Sequence, residues 1–335
     1  MKRPALMRAA VITRPGGPEV LEVHERPTPV PADNEVLIRV RASALNRADL
    51  LQRQGLYPAP PGAPPDIPGM EFVGEVAALG AGVTGWREGD RVFGIVGGGG
   101  NAEYVVTDAA TLARVPSGLS WTDAAAIPEA FITAYDALVT QAAVRAGETV
   151  LIHAVGSGVG LAAVQLARAW SATPYGTART PAKIERAREL GLADGVVVGD
   201  DVAVIVPATE RWTSGKGIDV TLDLVAGAYV AASIQAAAKR GRIMLIGTVA
   251  GRSATIPVGM VLGKRLTLRG TVLRARTLEE KREVTAAFAR DVLPLFDSGR
   301  LKPTVDRVFT LDEIAAAHAR LASNETFGNV VLDVS

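Results

Sequence analysis

The stretch "TVLIHAVGSGVGLAAVQLARAW", residues 149 to 170, constrains the fold more than any other part of the chain. A short apolar run enters a glycine turn, and apolar or small residues at helical spacing (Val159, Ala163, Leu166, Ala167) follow it. The texture continues through "TPYGT", "PAKIERARELG", "GVVV", "IDVTLDLV", "AYVAASIQAAAKRG" and "RIMLIGT", strand and helix in turn. Apolar strands alternating with helices predict a parallel sheet covered on both faces. A turn without side chains bares backbone N–H groups at a helix start, where the helix dipole favours an anion. Gly156, Ser157, Gly158, Val159 and Gly160 are therefore candidates to cradle a phosphate. The glycines stand at every second position rather than in the G-x-G-x-x-G spacing, and a tight βα turn can also require glycine for sterics alone.

The end of the second strand selects between dinucleotides. A carboxylate there binds the ribose hydroxyls of NAD and would repel a 2′-phosphate. The chain reads "GTARTPAK" at this point, with Arg179, Thr180 and Lys183 and no acid. A guanidinium can clamp a phosphate with paired charged hydrogen bonds, so the pattern favours NADPH. The same cations would equally suit the solvated start of a helix.

On either side of this region the texture differs. "EVLIRVRAS" alternates as a half-buried strand, and "MEFVGEVAALG", "DRVFGIV" and "NAEYVVTD" follow as further strands. "YPAPPGAPPDIPG" (57 to 69) is too rich in proline for a helix or central strand and is expected as a long surface loop. "GGGG" (97 to 100) is expected as a flexible loop between two strands. "SWTD" opens a helix in capping-box spacing at Ser120 and Asp123, and mixed strands and helices return after about residue 266. The expected organisation is one nucleotide domain, 125–265, inserted into a discontinuous β-rich domain of residues 1–124 and 266–335.

The composition narrows the function classes. With 36 basic and 35 acidic residues the net charge is +1, which argues against nucleic acid as the main partner. There is no cysteine, hence no disulfide, no thiolate zinc site and no cysteine nucleophile. No apolar run approaches the roughly 20 residues that span a bilayer, and Arg8 and Arg14 break the first one, so a soluble cytoplasmic protein is expected.

Three blocks together, "LNRADLLQRQGLYPAPPGA", "AAAIPEAFITAYDAL" and "HAVGSGVGLAAVQLAR", resemble the zinc-free quinone oxidoreductases of the medium-chain dehydrogenase/reductase superfamily. The p53-inducible quinone oxidoreductase type is the most similar branch, zeta-crystallin a more distant one, and the likeness runs to "GNVVLDV" at the end. The resemblance implies a GroES-like catalytic domain, an inserted Rossmann domain, NADPH, a cleft between the two and a homodimer. It also places Asn46, Met70 and Glu129 where zinc-dependent relatives carry their metal ligands, and such a set is not a tetrahedral zinc site. The chain departs from the family at Val198, where a Tyr is frequent, at Asn329, where a Lys is usual, at Leu51, where distant members have Tyr, and at Pro174 inside the second Rossmann strand.

Hydride transfer to a quinone or an activated enone needs no metal, only an aligned acceptor, a dry site and a donor for the oxygen that gains charge. Asn46 and Tyr57 are the candidates for that donor, and Thr133 for a contact at the nicotinamide end. Asn46 could also cap the helix beginning "NRAD", Tyr57 could pack on prolines, and Thr133 could bond back to its own helix. The resemblance implies Ile246, Gly247 and Thr248, and Gly270, Thr271 and Val272, as further cofactor contacts, and the strand-end rule gives them partial physical support. By resemblance Asn324 joins them. Alternatives to a quinone reductase are a dedicated enone reductase of a biosynthetic pathway and a non-catalytic NADPH-binding or RNA-binding protein.

Overall fold

A computed structural model describes residues 3–199 and 201–335. The chain forms two compact units, one from the residues up to Ile132 together with Leu273–Ser335, the other Thr133–Val272. The first junction lies eight residues beyond the expected one at 124/125, and the second seven beyond 265/266. The first falls inside the helix Pro128–Tyr135, so no change in composition marks it.

The second unit is a parallel sheet of six strands: β1 (Thr149–Ile152), β2 (Thr173–Ala178), β3 (Asp194–Val197), β4 (Ile218–Asp223), β5 (Ala237–Leu245) and β6 (Thr267–Gly270). Their spatial order is β3-β2-β1-β4-β5-β6 and every pairing is parallel. This is the doubly wound Rossmann arrangement, with its switch between β1 and β4. Helices α1 (Gly158–Ala169), α2 (Pro181–Glu189), α3 (Ile205–Thr213), α4 (Ala228–Ala236) and α5 (Val258–Lys264) connect the strands. Val150, Leu151, Ile152, Val220 and Leu222 are all buried, because the central strands have no solvent face. Pro174 sits near the start of β2 opposite Val150, and its carbonyl still accepts from Ala193 N–H at 2.8 Å, so the strand survives the missing donor. Strand β5 begins at Ala237, five residues before the "RIMLIGT" run, and its pairing with β4 is irregular between Ile218 and Val220.

In the first unit a seven-stranded sheet carries the core. Its main path runs 305–310, 329–333, 35–45, 71–79, 91–95 and 112–114, and the strand 104–108 pairs with 35–45. Val36, Ile38 and Val40 pack with Phe72, Val92, Val330 and Leu332 in one apolar cluster. The register Val330↔Leu45 to Asp333↔Ala42 binds the end of the chain to its beginning, which is why this unit is discontinuous in sequence. The glycine run 97–100 differs from expectation. It is packed rather than flexible: a Cβ on Gly100 would lie 2.3 Å from the Glu71 carbonyl oxygen, an approach only glycine allows. No helix among the described residues is long and apolar enough to cross a membrane.

Candidate active site

In the second unit a parallel sheet sends the carboxyl ends of all its strands to one edge, and most of the candidate cofactor residues lie there. Gly156–Gly160 follow β1, Arg179, Thr180 and Lys183 follow β2, Ile246–Thr248 follow β5, and Gly270–Val272 end or follow β6. Ser157 caps α1: its Oγ accepts from Gly160 N–H at 3.1 Å and donates to the Ala154 carbonyl at 2.8 Å. Lys183 lies along the turn. A Cβ on Gly156 would come 2.9 Å from Lys183 Cδ, so the glycine leaves room for the lysine chain. Arg179 and Thr180 are exposed, and Arg179 makes no hydrogen bond among the described residues. Ile246 N–H donates to the Asp223 carbonyl at 2.8 Å, and Thr271 N–H to that of Leu245 at 3.0 Å.

Two polar assemblies stand at this edge, one around His153, whose place at a strand end beside the turn fits a packed core histidine, the other around Asp136. His153 is fully buried, with Nδ1 3.1 Å from Thr177 Oγ1, Nε2 2.9 Å from Ser233 Oγ and the Tyr229 ring edge-on at 4.9 Å. Burial pushes its pKa down, so the ring is neutral and ties β1, β2 and α4 together. Thr133 is buried on the helix that passes into a π-turn at Asp136–Gln141. Gln141 Nε2 donates to the Asp136 carboxylate and to Thr271 Oγ1, the latter at 2.6 Å. Asp136 reads in the sequence as an ordinary helix-face residue. The π-turn buries it and links it to a candidate cofactor contact.

In the first unit Asn46 precedes the helix Arg47–Arg53 and Asp49 closes back on it, accepting from Asn46 N–H at 2.7 Å. The Asn46 side chain does something else. Its Nδ2 donates to Glu71 Oε1 at 2.7 Å, while Glu71 Oε2 accepts from Glu129 N–H at 2.8 Å. One buried carboxylate thus joins three stretches of chain. Burial, and then the neighbouring Glu129, push the Glu71 pKa well up; burial raises Asp49 to about 6. Tyr57 is half-buried, and its hydroxyl makes no hydrogen bond among the described residues. Asn324, with φ +65°, is held by Arg47 in this unit.

These groups do not fit zinc. At the family's ligand places stand an amide committed to Glu71, the buried thioether of Met70 and Glu129. Among the described residues no cluster of three or more His, Asp or Glu is placed to hold a metal ion. The glycine turn, its helix start and Lys183 do fit a dinucleotide phosphate.

Two family models and many known proteins match the chain. Residues 32–117 match the alcohol dehydrogenase GroES-like domain and residues 158–290 match the zinc-binding dehydrogenase family. The human quinone oxidoreductase is 32% identical over 322 residues, covering 94% of each chain. The polyketide synthase GfsB of Streptomyces halstedii is 36% identical over 304 residues, 90% of this chain and 5% of that protein. Among solved structures, an NAD-dependent alcohol dehydrogenase is 34% identical with TM-score 0.85, covering 98% of this chain and all of that one. A mycobacterial protein complexed with NADPH is 27% identical with TM-score 0.87, again covering 98% and 100%.

Proposed function

The chain belongs to the quinone oxidoreductase family of the medium-chain dehydrogenase/reductase superfamily, and on that premise we propose that this oxidoreductase reduces quinones or activated enones with NADPH and without a metal. The donor set carries the proposal. An amide tied to Glu71, a thioether and the Glu129 carboxyl provide nothing that lowers an alcohol's pKa as zinc would, so the acceptor must already be electrophilic. Bound NADPH would supply the hydride, held by Gly156–Gly160 at its pyrophosphate, by Arg179, Thr180 and Lys183 at its 2′-phosphate, and by Ile246–Thr248, Gly270–Val272, Thr133 and Asn324 toward the nicotinamide.

On the substrate side Tyr57 is the donor to the oxygen that gains charge. Its O–H is uncommitted, whereas the Asn46 amide donates to Glu71. Asn46 serves beside it, with its orientation fixed by Glu71. A cytoplasmic homodimer completes the proposal, without membrane or nucleic-acid partner. Its support is β6, whose outer edge carries no further strand among the described residues, and the exposed Val258 and Leu262 of α5. Sedimentation at a mass near twice 34.9 kDa is expected, and monomer alone at micromolar concentration would contradict it.

A second substrate class has its own support. The likeness to a polyketide synthase favours an activated alkene of a biosynthetic pathway, for which an α,β-unsaturated thioester is a suitable probe. One experiment separates these. NADPH oxidation is measured in chelator with an ortho-quinone and with a crotonyl thioester. Chelator-resistant turnover of the quinone is expected. Turnover of the thioester alone would reassign the substrate, and tight NADPH binding with neither turned over would point to a non-catalytic role.

A further inference from the structure

Three stretches of the first unit converge on one buried guanidinium. Arg274 is 4% exposed. Its Nε donates to the Gly97 carbonyl at 2.7 Å, its Nη2 to Gln52 Oε1 at 2.6 Å, and its Nη1 lies 3.5 Å from the Tyr57 carbonyl. The guanidinium carbon stands 5.1 Å from the centroid of the Tyr57 ring. All three acceptors are neutral. The nearest carboxylates, Asp49 and Glu129, act on Arg274 only through space. A buried cation on neutral acceptors is an expensive tie, and an apolar side chain would hold packed loops at lower cost. Its position against a phenol ring is the feature that uses the charge.

We propose that Arg274 is a positioning residue for Tyr57: it fixes the ring through Gly97, Gln52 and the Tyr57 carbonyl, and its charge polarises the phenolic O–H for donation to the acceptor oxygen. This rests on Tyr57 being the donor. The charged groups around the pair are Asp49 and Glu129, which face Arg274, and Lys281 on the helix 278–291, which faces both Arg274 and Glu129. The Tyr57 hydroxyl is pushed up by burial, pulled down by Arg274 and raised again by Glu129.

A purely structural tie and a polarising one therefore predict opposite signs. If Arg274 only ties loops, its loss loosens the segment around Tyr57, water enters, and the phenol titrates lower. If its charge acts on the ring, an uncharged side chain of similar length makes the phenol titrate higher. The full chain has five tyrosines, few enough to follow by 13Cζ labelling, with Tyr57→Phe assigning the resonance. Arg274→Met is expected to raise the Tyr57 titration midpoint and lower kcat about five- to tenfold. Arg274→Lys, which keeps the charge but loses the fork, is expected to hold the midpoint near its original value while KM rises. In a Tyr57→Phe background Arg274→Met should change kcat little further. A midpoint that falls in both variants, or an undiminished kcat loss in the Tyr57→Phe background, overturns the proposal. If Arg274→Met does not fold, the midpoint and the kcat–KM split of Arg274→Lys decide. Unchanged kcat in Tyr57→Phe alone would sink the donor role, while an upward midpoint in Arg274→Met would still establish that the charge acts on the ring.

Discussion

Replacing Arg179 and Lys183 together by alanine is expected to cut the preference for NADPH over NADH, as a ratio of kcat/KM, by about a hundredfold. A buried cation making a charge-assisted bond to a phosphate is worth about 1.5–3 kcal/mol; exposure of Arg179 screens its share, so the pair together is worth about 2.7 kcal/mol, a factor of about 100. The geometry supports this size. Lys183 lies against Gly156, where a Cβ would approach its Cδ to 2.9 Å, so its side chain lines the phosphate turn. Arg179 stands exposed directly after β2 with no competing hydrogen bond among the described residues, and no carboxylate follows β2 in "ARTPAK". The loss should fall on NADPH, with NADH kinetics nearly unchanged, because NADH has no 2′-phosphate to lose. Steady-state kinetics with both cofactors at low ionic strength measure it. An unchanged preference would remove these residues from the cofactor site and leave them as the solvated start of α2.

What could be read in the sequence follows from range. The Rossmann sheet was legible because each βα step is local: an apolar run, a glycine turn and a helix within about twenty residues of "TVLIHAVGSGVGLAAVQLARAW". The strand-end candidates came from the family resemblance, and that topology gave them partial support. The substrate side was legible only in part, because its contacts are long-range. The capping spacing of Asn46 and Asp49 was visible, but nothing in "GMEFVG" tells that Glu71 turns inward to take the Asn46 amide and the Glu129 N–H. Arg274 reads as one of several arginines in "LRARTLEEKRE", yet it is buried, 222 residues from the glutamine it binds. The junctions of the units were misplaced for a related reason: the first lies within a continuous helix and the second two residues past a strand, so neither has a linker to mark it. The glycine run looked flexible because glycine permits motion, but here it serves close approach, which depends on neighbours the sequence does not place beside it.

Glu71→Ala is expected to destabilise the first unit by about 3 kcal/mol, and so to lower Tm by about 6–12 °C. Glu71 is 1% exposed, and its two oxygens satisfy Asn46 Nδ2 and Glu129 N–H. Alanine orphans both donors, at about 1–3 kcal/mol each, and opens a small cavity; relief of the cost of burying a polar carboxyl offsets part of this. Glu71→Gln separates the terms, since the amide keeps the volume and can still accept from Asn46 but meets the Glu129 N–H with less acceptor capacity. It should cost less than alanine at neutral pH. The pH dependence has a definite sign. Glu71 has its pKa raised by burial and by Glu129, so the folded chain holds this proton more tightly than the unfolded one. Its contribution is fully present below the unfolded carboxyl pKa and is lost as pH rises through the folded value. Asp49, raised to about 6, adds a loss of the same sign between its ordinary pKa and about 6. Thermal melts of wild type and Glu71→Gln from pH 4.5 to 8 should therefore converge as pH rises, because only the wild type gives up the Glu71 term. Curves that stay parallel over that range would mean that Glu71 is ionised throughout, and that the Asn46 amide is held by a charged rather than a neutral carboxyl.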